Sequence, residues 1–131
     1  MGLELTVPLA NKRIDFIIAG EDDRHNKNIV IVELKQWEKV KHTDMSDIVL
    51  LGTEERVHPS WQAFSYGTTI SNFNEYIENN TVNIYTCCFL HDYNTNYEDE
   101  IKNKVYSEGL ERAPAFISDE WIKFADFIGK K

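Results

Sequence analysis

The stretch NIVIVELKQW, Asn28 to Trp37, decides how the rest of this chain is read. Its four consecutive aliphatic residues, Ile29 to Val32, predict a strand covered on both faces, because a strand with one face in water alternates apolar with polar side chains. That strand then ends in charge. Glu33 and Lys35 are two apart, so in an extended chain both leave the same face, while Leu34 points to the other. An acid and a base at the mouth of a buried strand are costly to desolvate unless they have partners or a task.

Just upstream, Arg13-Ile14-Asp15-Phe16-Ile17-Ile18-Ala19-Gly20 is a second apolar run with one acid near its start. The segment from Gly20 to Asn28 is turn-rich and carries Glu21, Asp22, Asp23 and Asn26, so the two runs read as neighbouring strands. If they pair antiparallel, the start of the first lies beside the end of the second. Asp15, Glu33 and Lys35 then converge at one sheet edge.

Further out on the N-terminal side, Leu3 to Leu9 alternates and predicts a strand, hairpinned through Ala10-Asn11-Lys12 to the Asp15 strand. Glu4 reads there as a solvated strand residue, with a metal-site role left open. After Trp37, the charged segment Glu38 to Asp47 predicts a solvated connection. Ile48 to Leu51, Gly52-Thr53 and Glu54 to Val57 read as a short hairpin. His58-Pro59-Ser60 opens a helix, with proline in the first turn where its missing N–H costs nothing. Ala63, Tyr66, Ile70, Phe73 and Ile77 give that helix an apolar stripe. Gln62 and Tyr66 border it one turn apart, and their polar groups need partners that the charged strand ends can provide.

Asn79-Asn80 ends this helix, and Val82 to Leu90 predicts an interior strand. His91-Asp92 follows it and reads as a strand-end histidine bonded to its surroundings. Asn94 to Arg112 reads as one irregular helix without assigned chemistry. Ala115 to Ile117 is a short strand. Ser118 then caps a final helix whose packing face is Trp121, Phe124, Ala125 and Ile128.

At 131 residues and 15.3 kDa, the chain predicts a single domain spanning residues 1–131. Its 42% hydrophobic and 12% aromatic content excludes a disordered class. No apolar run approaches the roughly 20 residues that cross a bilayer, and no signal-peptide apolar region opens the chain, so a soluble cytoplasmic protein is expected. Cys87 and Cys88 are adjacent in a strand-like run and point to opposite faces, which predicts reduced core residues rather than a disulfide. With 14 basic and 22 acidic residues the net charge is −8, the reverse of the usual nucleic-acid binder. Basic residues nevertheless cluster at Lys12-Arg13 and at Lys35, Lys39 and Lys41.

Asp15 followed by Glu33-Leu34-Lys35 resembles the core motif of the PD-(D/E)XK phosphodiesterases, the restriction-endonuclease-like nucleases. Ile14 stands where the family name has proline. Gln62-Ala63-Phe64-Ser65-Tyr66 is similar to the Q-x-x-x-Y helix motif of the RecB-like branch. The likeness runs from Leu5 to Tyr66 through Pro8, Lys12 to Phe16, Val32 to Trp37 and His58 to Gln62. It continues through Leu90 to Tyr93 and Ala113 to Phe116, and so covers most of the chain. The chain resembles the nuclease-like N-terminal domain of bacterial proteins in which a Schlafen-like helicase or ATPase region follows. The resemblance implies a mixed α/β fold, restriction-endonuclease-like, with a central sheet flanked by helices. It also implies that a first helix and a C-terminal ATPase domain belong to the parent protein.

What the motif implies chemically is phosphodiester hydrolysis with Mg²⁺ or Mn²⁺. Mg²⁺ takes oxygen ligands from one or two carboxylates, with water and substrate phosphate completing its shell. Asp15 and Glu33, with the main-chain carbonyl of Leu34, are the expected ligands. Lys35 is expected to orient the attacking water, accept its proton or contact the scissile phosphate. Gln62 and Tyr66 are expected to support the site or hold the nucleic-acid backbone of DNA or RNA. The alternative is a catalytically inactive nuclease-fold module that binds or regulates an ATPase, helicase or other protein partner. Glu-x-Lys at a strand end is, taken alone, also the pattern of an ordinary ion pair. Phosphate loops, zinc-spaced Cys/His clusters and nucleophile elbows are absent from the sequence, and its four histidines are scattered.

Overall fold

The computed structural model describes the backbone of residues 3–5, 8–9, 12–13, 16–21, 27–78 and 82–129, and side-chain surroundings for residues 28–72 and 83–129. In chain order the strands of the N-terminal part are β1 (Leu3–Leu5), β2 (Pro8–Leu9), β3 (Lys12–Arg13), β4 (Phe16–Glu21) and β5 (Lys27–Lys35). Three short strands follow, β6 (Lys41–His42), β7 (Ile48–Leu51) and β8 (Glu54–Val57), and then the long helix α1 (Pro59–Glu78). The C-terminal part holds β9 (Val82–Leu90), α2 (Glu98–Ile101), α3 (Ser107–Arg112), β10 (Ala115–Ile117) and α4 (Trp121–Gly129).

Five of the strands form one mixed sheet in the order β1-β4-β5-β9-β10. β1, β4 and β5 are an antiparallel meander, and β5, β9 and β10 run parallel. The class is therefore mixed α/β, with α1 lying on the connection between the parallel neighbours β5 and β9. The predicted antiparallel pairing of the Asp15 and Glu33 runs is present, with Phe16 opposite Val32 and Glu21 opposite Lys27. β9 is interior, as its composition predicted.

The aliphatic run of β5 is buried on both sides, as expected of an uninterrupted apolar strand. Val30 and Val32 pack with Cys87, Phe116 and the α4 residues Phe124, Phe127 and Ile128. Ile31 turns the other way, onto Tyr66 and Ile70 of α1, with Ile29 and Ile84 beside it. α1 comes close to the sheet at Gly67, where an added Cβ would lie 2.6 Å from Cγ2 of Thr86. Cys87 and Cys88 are buried free thiols in separate core clusters, as read from their alternation.

β1 pairs with β4, and Pro8–Leu9 pairs with Lys12–Arg13 in a two-stranded ladder. Four sequence expectations are corrected. The segment Glu38 to Asp47 is not wholly solvated, because Val40 is buried in the core and Lys41–His42 pairs with β7. Asn94 to Arg112 is not one helix but two short α-helices, each preceded by a 3₁₀ turn. The side chains of Asn94 and Asn103 accept from the amides of Asn96 and Val105, and each restarts the helical chain. Ser118 does not cap α4, since its hydroxyl donates to the Tyr93 carbonyl at 2.6 Å. Finally, α4 packs through Phe124, Phe127 and Ile128, while Trp121 is 61% exposed. A 3₁₀ turn over Ser118–Glu120 precedes the helix, and Trp121 is the helix's first residue, with Ile122 beside it also exposed.

The hairpin of β7 and β8 turns at Gly52, whose φ of 65° lies in the left-handed region that glycine adopts without strain. α1 begins at Pro59 as predicted, and Ala63, Tyr66 and Ile70 face the core. The side chains of Phe73 and Ile77, and the residues Asn79 and Asn80, lie outside the described part. Among the described residues no helix is long and apolar enough to cross a membrane.

Candidate active site

Glu33 and Lys35 stand at the carboxyl end of β5, where it runs beside β9. Their parallel partners are Cys88 and Leu90, and Leu34 lies opposite Phe89. Alternation along β5 puts Glu33 and Lys35 on the α1 side with Ile31, and sends the Leu34 side chain into the cluster under α4. The Glu33 residue is only 3% exposed, and its carboxylate oxygen Oε1 lies 3.2 Å from the Lys35 ammonium. Lys35 reaches the surface, with 22% of its side chain exposed and its ammonium 5.0 Å from the centre of the Trp37 ring. The pair is thus graded from buried acid to solvent-touching base.

The floor around this pair is neutral. Burial pushes the Cys88 thiol up to about 12, an effect that the Ser60 hydroxyl, 3.7 Å from its sulfur, only partly opposes. Burial likewise raises Cys87. Neither thiol is a thiolate near neutral pH, so neither serves as a nucleophile. His58 is fully buried and caps α1. Its Nδ1 accepts from the Ser60 amide at 3.1 Å, and its carbonyl accepts from the Gln62 amide. Nε2 then donates to the Ile101 carbonyl at 2.8 Å, which fixes the neutral tautomer. Desolvation lowers the His58 pKa, outweighing the opposing bond to Ile101.

α1 brings the other expected residues to the same side of the sheet. Tyr66 is buried against Ile31, and Gln62, one turn earlier, is half-buried. Asp15, the third member of the expected constellation, lies outside the described residues, as does the side chain of Glu4. Among the described residues no three His, Cys, Asp or Glu side chains gather as a metal site. Phe16, which follows Asp15, pairs with Val32, which precedes Glu33. His91 sits in the turn after β9, 3.4 Å from the Asp92 carboxylate and edge-on to Phe89, a partner on the α4 side of the sheet.

The sequence reading assigned nothing to two tyrosines that hold the chain leaving this site. The Tyr93 hydroxyl receives the Val40 amide and donates to the Tyr97 carbonyl. The Tyr106 hydroxyl receives the Thr43 amide and donates to the Ile48 carbonyl. Burial is the main cause that raises the pKa of both phenols, Tyr93 to about 12. Together they fasten residues 40–48 onto the segment 93–106. The available signal was large phenols inside a polar stretch, since a buried tyrosine requires a partner for its hydroxyl.

The fold and site define a mixed α/β protein with a buried glutamate and a solvent-touching lysine paired at the carboxyl end of its central strand. No family model, curated protein or solved structure matches the chain.

Proposed function

We propose that this chain is a metal-dependent nuclease domain of the PD-(D/E)XK type, acting on phosphodiester bonds of DNA or RNA. The observation that carries the reading is the Glu33–Lys35 pair, 3.2 Å apart at the end of a strand whose antiparallel neighbour begins one residue after Asp15. The mixed sheet with helices on both faces supports the restriction-endonuclease-like architecture that the motif implies.

The donor set suits a hard divalent cation. Two carboxylates, Asp15 and Glu33, and the Leu34 main-chain carbonyl would hold Mg²⁺ or Mn²⁺, which supplies charge neutralisation and activation of water when bound. Lys35 carries the rest of the chemistry. Its ammonium reaches the surface beside Glu33, where it can orient the attacking water, take its proton or meet the scissile phosphate. Gln62 and Tyr66, on the helix above the same face, would support the site or hold the substrate backbone. A helicase or ATPase region in the parent protein would present the strand.

Labelled single- and double-stranded DNA and RNA incubated with the protein and Mn²⁺ provide the test. Lys35→Ala is expected to slow cleavage by about 10²- to 10⁴-fold, the usual range for a positioned proton-transfer group. Equal cleavage by wild type and variant would remove the claim.

The second reading is a catalytically inactive module that docks on an ATPase, helicase or other protein partner. The net charge of −8 and the adjacent exposed Trp121 and Ile122 favour it. Calorimetric titration with Mn²⁺ separates the two readings. Binding that disappears in Asp15→Asn supports the nuclease, and absence of binding supports the module.

A further inference from the structure

The chain leaving β5 sets cations and an aromatic ring in close succession: Lys35, Trp37, Lys39 and Lys41. It is tied to the segment after β9 where the Asn94 amide donates to the Glu38 carbonyl at 2.8 Å. Between these segments lies a groove of about 620 Å³. Lys39 and Lys41 line it from one segment, and Asn96, Tyr97 and Asp99 from the other. Tyr97 is 38% exposed, and the Lys39 ammonium lies 5.4 Å from the centre of its ring. Gly52 at the hairpin turn also lines the groove, and a Cβ there would meet nothing within 4 Å, so the groove is open on that side.

We propose that this groove holds a nucleotide of a single-stranded nucleic acid, its base on Tyr97 and its phosphate against Lys39 and Lys41. The inference rests on the phosphodiesterase reading of Glu33 and Lys35, whose substrate it narrows to single strands. Lys39 is four residues beyond Lys35, at most about 14 Å along the chain, so a strand seated in the groove passes the proposed site within a few nucleotides.

Three features favour this occupant over a duplex. An aromatic ring can stack a base only when the base is unpaired and splayed, and such stacking tolerates any sequence. Two lysines in a chain of net charge −8 are few for gripping a duplex, which carries two charged backbones, whereas stacking adds attraction that does not depend on charge. The acidic side of the groove also has a use. Glu100 is held by the ring and backbone amide of His42 at 3.1 Å, and Asp99 offers an acceptor to the exocyclic amino group of a base.

Fluorescence anisotropy with end-labelled mixed-sequence 12-mers, in chelator so that nothing is cleaved, tests the proposal. Wild type should bind single strands at least tenfold tighter than the matching duplex. Tyr97→Ala should weaken single-strand binding about tenfold, while Tyr97→Phe keeps wild-type affinity. Lys39→Gln should lower the slope of log affinity against log salt by about 0.7. Equal binding by wild type and Tyr97→Ala, preference for duplex, no binding of single strands, or displacement by poly-glutamate at equal charge would each overturn it. The last result would assign the groove to acidic peptides. Tyr97-dependent binding without Mn²⁺ cleavage would sink the nuclease reading and leave the groove, whereas cleavage with binding indifferent to Tyr97 would do the reverse.

Discussion

At the scale of single residues, His58 shows how one side chain is committed to architecture although its type invites a catalytic reading. Both ring nitrogens are spent, one on the first turn of α1 and one on the end of α2, and the ring lies 4.5 Å from that of Tyr106. Protonation would put a second N–H against the Ser60 amide inside the core. Because the folded state lowers the His58 pKa, the unfolded chain binds the proton more readily. The stability that the neutral ring confers is therefore fully present above the ordinary histidine pKa of about 6.5 and declines as the pH falls below it. Denaturant midpoints measured between pH 7.5 and 5 should fall for wild type. In His58→Gln this component should be absent, with a loss of about 1–3 kcal/mol at neutral pH from the broken buried bonds. Glu33 presents the opposite case, an almost fully buried carboxylate whose lysine partner opens to solvent. That asymmetry is unlike a surface ion pair and suits a site that receives a ligand.

At the scale of elements, the packing of α1 on β9 hinges on the absence of a side chain at Gly67. Alanine normally favours a helix interior over glycine by about 1 kcal/mol. Here the new Cβ would meet the Thr86 methyl at 2.6 Å, and Thr86 cannot easily turn away because its hydroxyl donates to the Arg112 carbonyl at 3.2 Å. Gly67→Ala should therefore cost about 1–3 kcal/mol, the usual range for overpacking. Thr86→Ser keeps the hydroxyl and removes the methyl, so the double variant should recover most of that loss. Chemical denaturation of the four-member cycle measures the coupling directly. The same helix carries Gln62 and Tyr66, and a shift at Gly67 would move both. The elements around the groove were less legible. Asparagine caps at Asn94 and Asn103 break what reads as one polar helix, and a 3₁₀ turn precedes α4.

At the scale of the whole molecule, β5 is the common wall of two apolar layers, one under α1 and one under α4. A third cluster, around Val49, Tyr93 and Tyr106, holds no β5 residue but shares β9 and β10 with these layers through Cys88, Leu90, Ala115 and Ile117, so the described body should unfold in one step. Ile31→Ala should cost about 2–5 kcal/mol, with tryptophan fluorescence and far-UV circular dichroism giving coincident transitions. Separate transitions would show that the two layers are independent. Much of this plan was legible in ten residues. Four aliphatics in a row required cover on both faces, two-residue spacing put Glu33 and Lys35 on one face, and the upstream apolar run supplied the antiparallel neighbour. These are consequences of strand geometry and the cost of exposing apolar surface, which act within a few residues of the chain. Other features depend on residues far apart in sequence: the burial of Glu33, the tyrosine hydroxyls that fasten residues 40–48, and the groove between Lys39 and Tyr97. Tertiary structure alone decided them, because burial, hydroxyl partners and cavities are set by what packs against a residue, and local pattern carries no record of it.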